Sequence, residues 1–380
     1  MTIPSLTATS DRWADVRNVL CVRLDTIGDV LMTTPAIRAV RESRKHMRIT
    51  LLTSSRGAEI ARMIPEIDQV LAYDPPWMKT GHPLPNSTHE YETAELLRAG
   101  NYDGAIIFTT YTQSPLPAAM LCHLADIPRR LAHCRENPYQ LLTDWAPETE
   151  PEREVRHEVQ RQLDLVGVAG YQTNRRTLSL ALPDAARATA RQALSSAGID
   201  QQRPWVVIHA GASAESRRYP WTGFAKAARQ LVTGPGWQVV LTGDASEVDL
   251  VERIRSEMRA PSVSLAGYLR LAELAGVIAE APLLISNNTG PVHIAAAVGT
   301  PVVVLYALTN PQHRPWGVPS RVLSHDVRCK NCYKSVCPEG HNHCLTLIPP
   351  EAIVHAASKL MVVAGRELPH STAVAAAGGA

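Results

Sequence analysis

The residues able to do chemistry fall in four loops. The first, Arg23-Leu24-Asp25-Thr26-Ile27-Gly28-Asp29, follows a short apolar run and leads into Thr33-Thr34-Pro35. Gly28 lets the backbone turn tightly, and Asp29 falls at or just before a helix start. Two roles suit Asp29 and do not exclude each other. As one of the best capping residues it would close the helix end, and as a carboxylate projecting into a cleft it would take a proton from an attacking hydroxyl. The second loop, His209 to Trp221, is rich in small residues, with Ser213 among them, that let the backbone approach a ligand. Its Arg217 and Arg218, set before a helix near Pro220 or Trp221, either present donors to a diphosphate or are simply solvated.

The third loop, Thr242 to Glu247, ends a strand. Glu247 can accept hydrogen bonds from ribose or base hydroxyls, while Asp244 or Ser246 would only cap the next helix. In the fourth, Ser286 to His293, Thr289 and Gly290 offer a hydroxyl and backbone N–H groups to phosphate oxygens, and Pro291 suits the first helical turn. His293 faces the same pocket or packs beneath it. The chain has no Gly-x-x-x-x-Gly-Lys loop and no Gly-x-Gly-x-x-Gly after its first strand, which removes the common mononucleotide and dinucleotide readings. It also lacks paired aspartates two apart that would hold a cation on a diphosphate, so arginine and helix ends must do that work.

The elements that position these loops alternate. Asn18 to Arg23 reads as a strand, followed by a helix from about Val30 to Arg41, and further strands are expected at Ile49 to Thr53, Gln69 to Ala72 and Ala105 to Thr109. Pro75 to Thr88, with four prolines and little periodicity, reads as a mobile surface loop. It and Thr110 to Pro117 are where acceptor contacts would lie. A charged helix is expected from Arg153 to Val166 and a connector over Gly167 to Thr177.

A second series follows, with strands at Trp205 to His209, Gln238 to Thr242, Val263 to Ala266, Leu283 to Ser286 and Pro301 to Tyr306, and helices centred on Ala225, Val251, Leu274 and Ile294. Two α/β lobes with doubly wound parallel sheets are therefore expected, at 17–170 and 171–350. Residues 1–16 read as a flexible tail, 351–366 as a helix returning to the first lobe, and 367–380 as a disordered end.

At 380 residues with 45% apolar content, the chain can bury two cores. A formal charge of +2 provides no broad cationic face, which argues against nucleic acid as a partner. No secretory signal is evident, and no run reaches the roughly 18 apolar residues of a membrane span. Ile294 to Leu308 is broken by Gly299, Thr300 and Pro301. A cytoplasmic protein is expected.

Of seven cysteines, Cys21, Cys122 and Cys134 read as buried small apolar residues. Cys329, Cys332, Cys337 and Cys344 satisfy the ligand count of a structural zinc site, with free thiols or an oxidised pair as the other readings.

Taken together and in order, VLCVRLDTIGDVLMTTPAIRAV, VVIHAGAS with RRYPWTGFAKAARQL, VVLTGDASEVDLVERI and LLISNNTGPVHIAAAVGTPVVVLYALTNP resemble glycosyltransferase family 9, the heptosyltransferases. The resemblance implies two Rossmann-like lobes facing a cleft, the GT-B arrangement. It implies a nucleotide-diphosphate sugar donor such as ADP-heptose in the rear lobe and a glycolipid or glycan acceptor, such as lipopolysaccharide core, in the front lobe. Inversion without a catalytic metal or other cofactor also comes from the family.

Carried over by position, the family's base falls on Asp29, its phosphate-binding basic residue on Arg217 with Arg218 beside it, and its nucleotide-contacting glutamate on Glu247. Its Asp-Thr-Gly-x-x-His signature falls on Asn288 to His293, where Asn288 departs from the carboxylate. Ser213 joins the donor side, and Arg23, Gly28 and Thr33 are placed on the acceptor side. A glycolipid acceptor would allow peripheral contact at the cytoplasmic face of the inner membrane. Two rival readings are a nucleotide-sugar epimerase of similar two-lobed form and, because of Asn288, a catalytically silent nucleotide-sugar binding protein.

Overall fold

The computed structural model describes residues 11–44, 46–79 and 86–363. The first lobe runs β1 (Asn18–Arg23), α1 (Ile27–Ser43), β2 (Arg48–Thr53), α2 (Ser55–Ala61), β3 (Gln69–Ala72), α3 (Thr88–Ala99), β4 (Gly104–Ile107), α4 (Leu116–Leu124), β5 (Arg130–Cys134), β6 (Asp144–Pro147) and α5 (Glu158–Val168). The second runs α6 (Asp184–Ser196), β7 (Trp205–His209), α7 (Trp221–Thr233), β8 (Gln238–Thr242), α8 (Val248–Met258), β9 (Val263–Ser264), α9 (Leu271–Glu280), β10 (Leu284–Asn287), α10 (Gly290–Val298), β11 (Val302–Leu305), β12 (Ser320–Leu323), α11 (His343–Thr346) and α12 (Pro350–Val363).

Both sheets are parallel and share one connectivity. The first is ordered β3-β2-β1-β4-β5-β6, and the second, read from its other edge, β9-β8-β7-β10-β11-β12. In this doubly wound order the winding reverses between β1 and β4 and between β7 and β10, and ligands bind beyond the strand ends at that reversal.

Strand residues are apolar on both faces because helices cover both. On β1, Val19 and Cys21 enter one cluster and Leu20 and Val22 another, and Val207 and Ile208 divide likewise on β7. The cluster holding Val19 and Val207 passes from one lobe to the other where α1 packs on α10. That packing brings the first turns of two helices from different lobes face to face.

Two terminal expectations are corrected. Residues 11–16 belong to the first lobe, since Trp13 and Val16 are fully buried and the Trp13 indole donates to Asp144 at 3.0 Å. The helix at 350–363 does not return to that lobe. Ile353, Ala357, Leu360 and Met361 bury against α7 and the β11–β12 edge, so it completes the second lobe's core. The loop expected at Pro75 to Thr88 includes 80–85, which lie outside the described residues, as do 364–380.

Candidate active site

Arg23 ends β1 at the reversal of the first sheet. Its side chain is fully buried and paired with three carboxylates, Asp25 at 3.0 Å, Asp29 at 3.2 Å and Glu158 at 2.9 Å. It therefore acts on Asp29 rather than on an acceptor. Asp29 sits in the first turn of α1, and its second oxygen completes a capping box with Thr26. Both expected roles thus meet in one side chain: one oxygen serves the helix end and the other meets Arg23, while the carboxylate stays 17% exposed toward the second lobe. Thr33, expected on the acceptor side, is buried and donates its hydroxyl to the Asp29 carbonyl at 2.8 Å, so it braces the helix. Gln113, in the loop after β4, donates to Asp25 at 2.7 Å.

The second lobe answers with loops from its own reversal. Thr289 is the N-cap of α10, and its side chain makes no capping bond; Gly290 and Pro291 form the first turn. Gly290 faces Ile27, whose Cγ2 would lie 3.6 Å from a Cβ at that position. His293 is buried against Gly28 of the first lobe. Asn287 ties the flanking loops together, accepting from the Tyr219 N–H at 3.0 Å and donating to the Ala210 carbonyl at 2.6 Å. Asn288, which departs from the carboxylate, is buried, and its backbone N–H donates to the Leu305 carbonyl at 3.2 Å.

Arg217 closes a short helical turn before α7, partly exposed, and its charge acts on Asp29, His293, His313 and Tyr306. Asp29, Arg217, Thr289, Gly290 and His293 are therefore gathered at one inter-lobe junction. Ser213, Arg218 and Glu247 stand apart from it. Ser213 is exposed, Arg218 donates to the Ala212 carbonyl at 2.8 Å, and Glu247 accepts from the Asp244 N–H at 3.1 Å in a capping box. The Glu247 carboxylate also covers Gly211, where a Cβ would stand 1.8 Å from its Oε1, so only glycine allows this approach. In the Cys329–Cys344 segment the four thiols are free and partly exposed, and Cys344 is within electrostatic reach of Cys337, Cys329 and Cys332. Among the described residues no group of three or more His, Cys, Asp or Glu is arranged to hold an ion, so the structure does not show the expected structural zinc.

Electrostatics sort the carboxyls into different states. Burial raises the Asp29 pKa, but nearby positive charge, Arg23 foremost with Arg217 adding to it, outweighs it, so the net shift is downward and Asp29 is ionised at neutral pH. Burial likewise works against Glu158, and Arg23 again prevails, leaving it lowered. Asp25 goes the other way, pushed up to about 6 by burial, which Arg23 only partly offsets, with repulsion from Asp29 adding to the rise. His293 is pushed down to about 3 by burial and by His313, and His313 is lowered by burial against the pull of Asp29 and Glu158. An ionised carboxylate thus faces two neutral imidazoles and the Arg217 guanidinium, which has no ion pair among the described residues.

Sequence reasoning missed Asp25, Glu158 and His313. Glu158 lies in a charged helix that reads as surface, and His313 lies between Pro311 and Pro315 in a stretch without periodicity.

With this arrangement in view, comparisons with known proteins converge. A sequence profile of glycosyltransferase family 9 (heptosyltransferase) matches residues 91–343. Lipooligosaccharide heptosyltransferase 2 of Haemophilus influenzae is 26% identical over 309 residues, covering 78% of this chain and 85% of the relative. Among solved structures, a family 9 glycosyl transferase from Veillonella parvula superposes with a TM-score of 0.78 at 22% identity, over 91% of this chain and 98% of the other. The ADP-heptose lps heptosyltransferase II of E. coli superposes with a TM-score of 0.71 at 20% identity, over 91% and 99%. Because the profile spans most of the chain and takes in every loop of the second lobe's site, the protein belongs to glycosyltransferase family 9, the heptosyltransferases, and is a glycosyltransferase.

Proposed function

We propose that this glycosyltransferase moves a heptose from ADP-heptose to a hydroxyl of a lipopolysaccharide-core or other glycolipid acceptor, with inversion and without a catalytic metal. The observation that carries the reading is the opposition of an ionised Asp29, from the first lobe, to Arg217 and the open N-terminus of α10 in the second. The names of the relatives supply the sugar and the acceptor class.

In the proposed step, the acceptor oxygen attacks the anomeric carbon while Asp29 takes its proton. The bond from that carbon to the diphosphate oxygen breaks on the opposite face, and the electron pair leaves with the nucleotide. Arg217, the Thr289 hydroxyl and the first N–H groups of α10 meet the growing negative charge, and such preorganised donors are commonly worth about 3 kcal/mol each. Glu247 and Ser213 are assigned to the nucleotide, at the outer end of the donor site. Arg23 holds Asp29 ionised and oriented. A glycolipid acceptor would bring the first lobe to a membrane surface, and no described helix is long and apolar enough to cross one.

Incubation with ADP-heptose and a heptose-deficient lipopolysaccharide acceptor tests this directly. Transfer should proceed in EDTA, with NMR of the product showing the anomeric configuration opposite to the donor's. Thermal stabilisation by UDP- or GDP-sugars and not by ADP-sugars would overturn the donor assignment.

A further inference from the structure

The loop from Asn310 to Gly317 leaves β11 and crosses to the first lobe. Its residues on either side of His313 are spent on that crossing. The Gln312 carbonyl accepts from the Glu158 N–H at 3.1 Å and its amide donates to Glu150, while the Arg314 carbonyl meets His157 Nε2 at 2.8 Å. Trp316 adds a ring contact with His157 at 4.5 Å and an indole bond to the Arg176 carbonyl at 2.7 Å. His313, between these anchors, is only 8% exposed, and its Nε2 has no hydrogen-bond partner among the described residues.

A buried polar atom left unpaired costs about 1–3 kcal/mol and calls for an explanation. The surroundings of His313 supply one. Asp29 and Glu158 act on it from the first lobe, and Arg217 from the second, with Arg23 behind the carboxylates. The imidazole is therefore within electrostatic reach of both the residue assigned to the incoming hydroxyl and the one assigned to the departing diphosphate. What lies between those two residues during the proposed transfer is the sugar itself. The diphosphate already has a permanent cation in Arg217, whereas a neutral imidazole, able to donate or accept one hydrogen bond, matches a sugar hydroxyl.

Resting on the transfer reaction proposed above, we infer that His313 is a donor-binding residue whose Nε2 bonds a hydroxyl of the transferred sugar. It would discriminate the sugar rather than the nucleotide. Its flanking anchors tie that contact to lobe closure, because His313 reaches its place only when Gln312 and Arg314 are docked on the first lobe.

Calorimetric titration of wild type, H313A and H313N with ADP and with ADP-heptose tests the assignment. In H313A the Kd for ADP-heptose should rise about tenfold or more, as expected for one lost hydrogen bond in a buried site, while the Kd for ADP stays within about twofold. H313N, which keeps a donor and an acceptor, should recover part of the loss. Equal weakening of both ligands would make His313 part of the inter-lobe latch and overturn the proposal. Unchanged binding of both in H313A would overturn it as well. A wild-type protein that binds ADP and gains nothing from the heptose would overturn the transfer reading and this inference together, so the two failures are distinct.

Discussion

Gly28 and His293 meet at the junction of the lobes so closely that a Cβ on residue 28 would stand 2.6 Å from His293 Cδ2 and 3.2 Å from Nε2. His293 is 4% exposed, so its ring has little room to retreat. The glycine lets the first turn of α1 lie against the first turn of α10, and that contact sets the separation of Asp29 from the N-terminus of α10.

G28A should therefore hold the lobes apart and reduce kcat/KM by roughly tenfold to a hundredfold, since small misplacements of reacting groups are costly. Removing the obstructing ring in H293A on the G28A background should restore part of that loss. Steady-state kinetics of the two single variants and the double variant would read the coupling, and strictly additive defects would count against it.

Asp25 gives a pH signature in stability. Its folded pKa, about 6, lies above the ordinary value for aspartate, so the folded state binds its proton more tightly than the unfolded chain does. Its contribution is full below the unfolded pKa and is lost as pH rises through about 6. D25N should melt a few degrees above wild type at pH 8, with the difference closing toward pH 4. A D25N protein that melts lower at pH 8 would show that the Arg23 pair outweighs the burial of a third carboxylate.

Arg217 and Arg218 should separate despite their adjacency. Arg217 acts on Asp29 and both buried imidazoles, whereas Arg218 is exposed and bonded to a loop carbonyl. R217M should lower kcat by about a hundredfold or more, the scale of losing one preorganised donor to the leaving group, while R218M costs a few-fold at most. Initial-rate measurements at saturating donor would decide between them.

The cysteines offer a count. Four thiols are partly exposed and three are buried, the latter pushed up to about 12 by burial in Cys21, Cys122 and Cys134. A thiol reagent should modify four groups in native protein and all seven after denaturation. Four thiols that become reactive only after chelation would restore a metal site to that segment.

Much of this architecture is legible in the sequence for physical reasons. β1, β3, β7 and β8 are short apolar runs stopped by turn residues, and the observed bounds coincide with that reading. β5, β6 and β12 escape it because Arg130, His133, Asp144 and Arg321 interrupt the apolar pattern. Asp29 is signalled by its glycine and the helix behind it. Its supporting shell is not: Glu158 is distant in sequence and becomes interpretable only once α5 packs on α1 and brings its carboxylate to Arg23. The C-terminal helix was visible as a helix, but its apolar stripe does not say which lobe it covers.

The most direct measurement is a comparison of D29N with wild type for heptose transfer and for ADP-heptose affinity. The amide preserves size and cannot take up the proton, so turnover should fall by about a thousandfold or more with donor Kd nearly unchanged. Turnover retained within a few-fold in a folded D29N protein would contradict Asp29 as the base and leave the facing lobes without their assigned chemistry.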